Sequence, residues 1–196
     1  MQLETDRLII REIRETDWER IHAYTSMTEV TQHTAWGPNT EEDTRAYVQF
    51  VLETQQAQPR EGFELAICLK SDGTLLGGVG IHVMEKTNAE IGYVLNPAYQ
   101  GKGYAAEAAR ALLGFGFNEL GIHRIYAKCR PHNTASENVM KKIGMQREGL
   151  LREHWFYKGS FHDSVLYSIL ASEYGATMET KRYICNSSYS PRTPKS

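Results

Sequence analysis

Cysteine is scarce and poorly placed for bridging. Cys68, Cys129 and Cys185 are odd in number and far apart in 196 residues, which argues against a disulfide framework and suits a reducing compartment. No stretch approaches the roughly 18 consecutive apolar residues of a membrane span. Met1-Gln2-Leu3-Glu4-Thr5-Asp6 lacks the basic start and apolar stretch of a secretion signal, so a cytoplasmic protein with no membrane partner is expected. The 7 histidines include no H-x3-H pair and no cysteine pair has metal-ligand spacing, so no metal site is expected. Large net charge is missing too. The chain total is −2, with +3 on residues 179–196 and −5 on residues 1–178, and a mildly acidic body is a poor duplex-DNA binder but a plausible host for amines. What is present is a globular balance of 41% apolar and 23% charged residues at a length that suits one domain.

No internal repeat is visible, and the order of elements can be read from period and punctuation. Arg7–Arg14 alternates as an edge-like strand. Thr16 with Glu19 predicts a capped first helix, and Thr40 with Asp43 a second one carrying Tyr47, Phe50 and Val51 on one face. Phe63–Leu69 and Thr74–Met84 read as strands around Ser71-Asp72-Gly73, and Ala89–Leu95 as a third, stopped by Asn96-Pro97. Tyr104–Leu120 then reads as a helix ended before Gly121, His123–Cys129 as a strand, Asn133–Ile143 as a helix ended by Gly144, and Met145–Leu151 and Ser160–Leu170 as closing strands. The predicted fold class is α/β: a mostly antiparallel sheet of about seven strands with about four helices on its faces, one domain over residues 1–175. Residues 176–196, ending in the Ser/Pro-rich NSSYSPRTPKS, are expected to form a flexible basic tail.

The chemistry concentrates in Gln100-Gly101-Lys102-Gly103-Tyr104-Ala105, which follows a strand and opens a helix. Two glycines let successive N–H groups turn toward one spot, and the helix start adds the positive end of its dipole, a cradle suited to a diphosphate. A nucleotide P-loop would need Ser or Thr after Lys102, where Gly103 stands. A dinucleotide fold would need an acid ending the next strand, which instead reads Lys128-Cys129-Arg130. A merely glycine-rich surface loop stays open.

The loop resembles the acyl-CoA loop of the GNAT superfamily of N-acetyltransferases. Asn133-x-x-Ser136 and Lys142-x-Gly144-Met145 resemble that family's later helix and its exit, and the element order matches over about 160 residues, Arg7 to Leu170. Asn133, Ser136 and the ending Gly159-Ser160-Phe161-His162-Asp163 are most similar to ribosomal-protein alanine/serine N-terminal acetyltransferases and their bacterial relatives. The resemblance implies a splayed parallel pair of strands. It also implies acetyl-CoA as co-substrate, with its pantetheine arm on the backbone of Val94 and Leu95, its diphosphate on the amides of Gly101 to Ala105, and contacts to Gln100, Lys102, Tyr104 and Asn133. Lys102 reads equally well as a solvated surface lysine.

By the same resemblance, the departing thiolate needs a proton donor that many members supply as a Tyr seven residues after the Asn. Met140 stands there and cannot donate. Ser136 lies one turn earlier on the same helical face and is the catalytic candidate, against the alternative that it caps the helix. Glu90 is the candidate base, against the alternative of a sheet-edge carboxylate paired with a cation. His162-Asp163 reads less well as a catalytic dyad than as a turn-supporting Asp163 beside a surface His162, and Cys129 reads as a core thiol. Trp36, Tyr24 and His33 fall in the segment that borders the acceptor in this family. The expected activity is transfer of acetyl from acetyl-CoA to a peptide or protein N-terminal amine by direct attack. A polyamine acceptor, a non-catalytic CoA-binding module and a dinucleotide oxidoreductase are the alternatives. A monomer and a homodimer are both compatible with the sequence.

Overall fold

The computed structural model describes residues 1–177 and 184–185. Its strands are β1 (Gln2–Glu4), β2 (Leu8–Glu12), β3 (Gly62–Leu69), β4 (Leu75–Glu85), β5 (Asn88–Leu95), β6 (Arg124–Cys129), β7 (Gln146–Tyr157), β8 (Ser160–Leu170) and β9 (Ile184–Cys185). The helices are α1 (Trp18–Thr25), α2 (Thr28–Thr31), α3 (Glu41–Gln55), α4 (Tyr104–Asn118), α5 (Thr134–Lys142) and α6 (Ala171–Thr177). One sheet runs β7-β8-β6-β5-β4-β3-β2-β1-β9, with β5 and β6 parallel and the other neighbours antiparallel. The short strands β1 and β9 extend the expected sheet at one edge, and α2 and α6 extend the expected set of helices. Apart from Ile184–Cys185, residues 178–196, and with them most of the expected tail, lie outside the described residues.

Alternation along the central strands gives the sheet two buried faces. Phe63, Leu65, Ile67, Val79, Ile81, Ile91 and Ile125 pack under α4, whose Ala108, Leu112 and Phe115 are fully buried. Each of the larger of these side chains contributes roughly 1.5–3 kcal/mol by leaving water. Gly116 lets α4 lie close, because a Cβ there would stand 2.7 Å from Ile125 Cδ1 and 2.8 Å from Ile81 Cδ1. On the opposite face Ala66, Cys68 and Leu75 meet Ile21 and Tyr24 of α1 and Val48 and Val51 of α3. No helix of the described residues is long and apolar enough to cross a membrane.

Two local expectations need correction. Thr40 does cap α3, its hydroxyl accepting from Asp43 N at 3.1 Å. Thr16 caps nothing. A 3-10 turn over Glu15–Asp17 precedes α1, and the Asp17 carboxylate accepts from Arg14 N (2.8 Å) and from Arg11 (2.7 Å), so Thr16 falls inside the turn. Likewise Asp163 supports no turn. It lies in β8, and its Oδ1 accepts from Glu153 N at 2.8 Å, holding the bulge where Glu153 adopts φ 49°. The β7–β8 hairpin is closed instead by Lys158 and Gly159, both at positive φ, as a tight two-residue turn requires.

Candidate active site

The site begins where two parallel strands part. β5 and β6 pair only at Asn88–Arg124, Ala89–Ile125 and Glu90–Tyr126. Beyond Glu90, β5 stays with β4 as far as Leu95–Gly77, and β6 stays with β8 as far as Cys129–Val165, so a gap opens between them. Asn96 N donates to Leu76 O on β4 at 2.8 Å, and the Val94 carbonyl also faces β4, where a Cβ on Gly77 would stand 2.1 Å from it. Strand alternation therefore turns the N–H and C=O groups of Tyr93 and Leu95 into the gap. The expectation for Leu95 fits this geometry. For Val94 it does not: its backbone is turned to β4, and its side chain packs on the α1–α3 core. The Leu95 carbonyl accepts from Gln100 Nε2 at 3.2 Å, which ties the loop residue Gln100 to the strand end.

The glycine loop follows. Gly101 (φ +77°) and Gly103 (φ +83°) are left-handed, and Gly103 is the N-cap of α4 with no side-chain cap of its own. The first-turn amides of α4, at Tyr104 and Ala105, are thus open to an acceptor outside the helix. Lys102 is exposed, its ammonium 5.7 Å from the centre of the Tyr99 ring. The loop is braced from behind by Arg7, which donates to Lys102 O (3.1 Å) and to Glu107 of α4 (2.7 Å). Thr5 Oγ1 also donates to Glu107 at 2.6 Å. Burial works against ionisation of Glu107, but the Thr5 and Arg7 bonds outweigh it and hold the carboxyl below its ordinary range.

A cavity of about 150 Å³ occupies the gap, bordered on the α4–α5 side by Tyr93, Asn133 and Ser136 and on the other by His33, Thr34, Lys128 and Arg130. Asn133 Oδ1 accepts from Ser136 N at 3.0 Å, so Asn133, expected as a CoA contact, also caps α5. Ser136 is not the cap. Its Oγ lies 3.1 Å from Tyr93 OH, which in turn donates to Ser136 O at 2.8 Å. Burial pushes the Tyr93 phenol above its ordinary range, so it is a neutral hydroxyl at working pH.

On the α1–α3 face the groups are charged. Glu90 Oε2 pairs with Lys128 Nζ at 3.1 Å, and the ammonium also lies 5.4 Å from the Tyr126 ring and 5.9 Å from the Trp155 ring. Glu90 is opposite His82 in register, and His82 Nε2 lies 2.7 Å from Glu64 Oε1. Tyr47 OH donates to Glu64 Oε2 at 3.2 Å. Gly80 makes room for that carboxylate, since a Cβ there would stand 2.7 Å from it. The bond to Glu64, opposed by burial and reinforced by the charges of Glu64 and Glu90, raises the His82 imidazole above its ordinary range.

A splayed parallel pair, a left-handed glycine loop and a helix start open to an anion therefore stand side by side. The family model described as the acetyltransferase (GNAT) domain matches residues 7–146. The chain belongs to the GNAT acetyltransferases. An uncharacterised N-acetyltransferase of Bacillus subtilis, YnaD, is 39% identical over 175 residues, covering 89% of this chain and 99% of that one. A GNAT-family acetyltransferase of Bacillus anthracis has a solved structure with TM-score 0.79 at 38% identity, covering 88% and 99% of the two chains. Two structures of lower identity show the shared fold. One is a ribosomal L7/L12 α-N-protein acetyltransferase in complex with coenzyme A (24%, TM-score 0.75, 85% and 95% covered). The other is a Vibrio cholerae spermidine N-acetyltransferase in complex with CoA and spermine (21%, TM-score 0.73, 85% and 97% covered).

In this acetyltransferase, the residues read from sequence do not all converge. Gln100, Gly101, Lys102, Gly103, Tyr104 and Ala105 form one continuous loop and helix start, and Ser136, Asn133 and His33 line the cavity. Tyr24 is 3% exposed and belongs to the α1–α3 core beside Ile21, because the 3.6-residue period of α1 turns both inward. Trp36 is 40% exposed and does not line the cavity, although its carbonyl accepts from the lining residue Thr34 at 2.6 Å. Met140 is fully buried, so the position expected of a family tyrosine serves the core. Cys129 borders the cavity but is only 5% exposed, and burial, then Glu137, pushes its thiol up to about 11. Sequence reading missed Tyr93, the Glu64–His82 pair and the Arg7–Glu107 brace. A usable signal existed for the first two: Tyr93 shares its strand parity with the gap-lining residues, and Glu64 and His82 are polar interruptions of buried strands.

Proposed function

We propose that this acetyltransferase takes its acetyl group from acetyl-CoA and passes it to the α-amine of a peptide or protein N-terminus. The observation that carries the reading is the cavity in the β5–β6 gap, open to hydroxyl groups on one side of the sheet and to charged groups on the other. Acetyl-CoA fits the α4–α5 side. The amides of Gly101 to Ala105 would hold the diphosphate, the backbone of Tyr93 and Leu95 the pantetheine arm, and Asn133 the arm's amide end through its free NH2 group. The amine enters from the α1–α3 side. Its nitrogen bonds to the acetyl carbon, the carbon–sulfur bond breaks, the amine loses one proton and the sulfur gains one.

Ser136 with Tyr93 is the donor side of that exchange, and Glu90 with His82 is the acceptor side. Proton cost favours an α-amine. Freeing one with a pKa near 7.7–8 at pH 7 costs about 1–1.4 kcal/mol, against roughly 4.6 kcal/mol for a lysine-like amine. A carboxylate engaged by Lys128 and an imidazole are modest bases, matched to the smaller cost. A polyamine is the second reading, since the acidic −5 of residues 1–178 draws in either cation and does not choose between them. Following free thiol with N-terminal Ser or Ala peptides, spermidine and N-α-blocked Lys peptides separates the two. The peptides should lead by at least about tenfold in kcat/KM. Spermidine matching them at pH 7 overturns the acceptor, and absence of thiol with every amine overturns the whole reading.

A further inference from the structure

The cavity wall holds an uncompensated charge. Its lining contains Lys128, Arg130 and His33 and no carboxylate. Lys128 is neutralised by Glu90. Arg130 is not. Its Nη2 donates to Ser164 Oγ at 2.7 Å and its Nη1 to His162 O at 3.5 Å, both neutral groups, and among the described residues no carboxylate lies within ion-pair distance of it. Ser164 is fully buried and also holds His154 Nδ1 at 2.8 Å, and the guanidinium lies 5.8 Å from the Tyr157 ring, so the fork is held in place before any ligand arrives. Strand alternation puts Arg130 on the same face as Tyr126 and Lys128, the face from which the amine enters, away from Tyr93 and Ser136. The surroundings register the excess charge: burial first, then His132 and Arg130, press the His33 imidazole below its ordinary range.

We propose that this wall is a carboxylate subsite, with Arg130 as its main ligand, and that the natural acceptor carries a carboxylate close to its reacting amine. This rests on the α-amine reading above. A guanidinium fork suits a carboxylate because two N–H groups can bind its two oxygens in parallel. The neutral His33 N–H completes the wall, while Lys128 stays paired with Glu90. A polycation brings repulsion to the same place and has nothing there to pair with. The carboxylate can be an acidic side chain near a peptide's N-terminus or the α-carboxylate of a free amino acid, and two substrate pairs tell these apart.

The test compares Ser-Glu-Ala-Ala amide with Ser-Gln-Ala-Ala amide, and serine with serinamide, as acceptors for the wild-type protein. The acidic member should lead by about tenfold or more in kcat/KM in one pair, and that pair names the source. In Arg130→Gln the lead should shrink to within about threefold, through loss of the acidic acceptor alone, with acetyl-CoA Kd by calorimetry unchanged. Arg130→Lys, which keeps the charge but loses the fork, should fall between. Equal use of both members of each pair by the wild type overturns the subsite and leaves the α-amine reading standing, whether or not the variants fold. Weaker acetyl-CoA binding in Arg130→Gln with equal losses for both members overturns it too, by moving Arg130 to the co-substrate. Transfer to spermidine and to no α-amine overturns both readings.

Discussion

On the α4–α5 side the β5–β6 gap is bordered by backbone amides, two left-handed glycines and the Ser136–Tyr93 hydroxyl pair, with the Arg7–Glu107 ion pair bracing the loop from behind. On the α1–α3 side the same gap is bordered by Lys128 of β6 and by Arg130 just beyond that strand, with Glu90 of β5 paired to Lys128 and the Glu64–His82 pair farther along the same face on β3 and β4. Neutral dipoles suit a ligand whose charge sits at one end, at the glycine loop. Fixed charges suit selection among amines of similar size, where a mispaired charge is costly. On the proposed reading the common co-substrate binds on one side and the acceptor is chosen on the other, and variants on the two sides should separate accordingly.

The largest effect is expected at the glycine loop. Gly103→Asp forces a side chain into a left-handed residue and puts negative charge where the diphosphate would meet the amides, so acetyl-CoA Kd should rise by about a hundredfold or more by calorimetry. A folded variant with unchanged affinity would remove the loop from the site. Ser136→Ala should lower kcat by about ten- to a hundredfold with acetyl-CoA Kd nearly unchanged, because proton donation acts in the transition state. Tyr93→Phe should cost less, since Ser136 keeps its hydroxyl. A parallel loss of binding in Ser136→Ala would make the serine a structural part of α5 instead.

Across the sheet, His82→Gln should cost about tenfold in kcat/KM and alter the pH profile. The raised imidazole is protonated below its folded pKa and cannot accept a proton there, so wild-type activity should rise as pH climbs past 6.5 through that higher value, and the variant should lack this limb. The linked stability has the opposite sense: the His82–Glu64 contribution is full below the ordinary histidine pKa and is lost as pH rises through the folded one. Identical pH profiles in the two proteins would leave Glu90 as the only acceptor-side base. The smallest effect concerns the brace behind the loop. Glu107→Gln weakens the bonds from Arg7 and Thr5, each charge-assisted and worth about 1.5–3 kcal/mol at most, and should lower stability by about 1–3 kcal/mol at pH 7. Because the Glu107 carboxyl is held below its ordinary 4.5, its contribution is present above that value and lost as pH falls through the lowered one, so the variant's stability should decline less on acidification. Equal acid sensitivity would show that Glu107 is not a controlling group.

The sequence by itself determined the parts of this protein whose cause lies within a few residues. Thr40 and Asp43 cap α3 because both partners belong to one turn. Gly101 and Gly103 announce a left-handed loop because few other residues take that backbone conformation, and Asn96-Pro97 ends β5 because proline cannot continue the strand's pairing. The family resemblance grew from these local features, which is why the co-substrate side was the more legible one. Tertiary structure alone decided the rest. Tyr93 meets Ser136 across 43 residues, Arg7 meets Glu107 across 100, and His82 meets Glu64 across 18. Whether Glu90 is solitary or paired depends on Lys128, which only the β5–β6 register brings to it. Tyr24 lies in the core and His33 at the cavity, because the helix period turns one inward while the chain after α2 carries the other to the end of β6. A charge or a hydroxyl acquires its role from the partner that strand register and helix packing place beside it, and neither is written in the neighbouring residues.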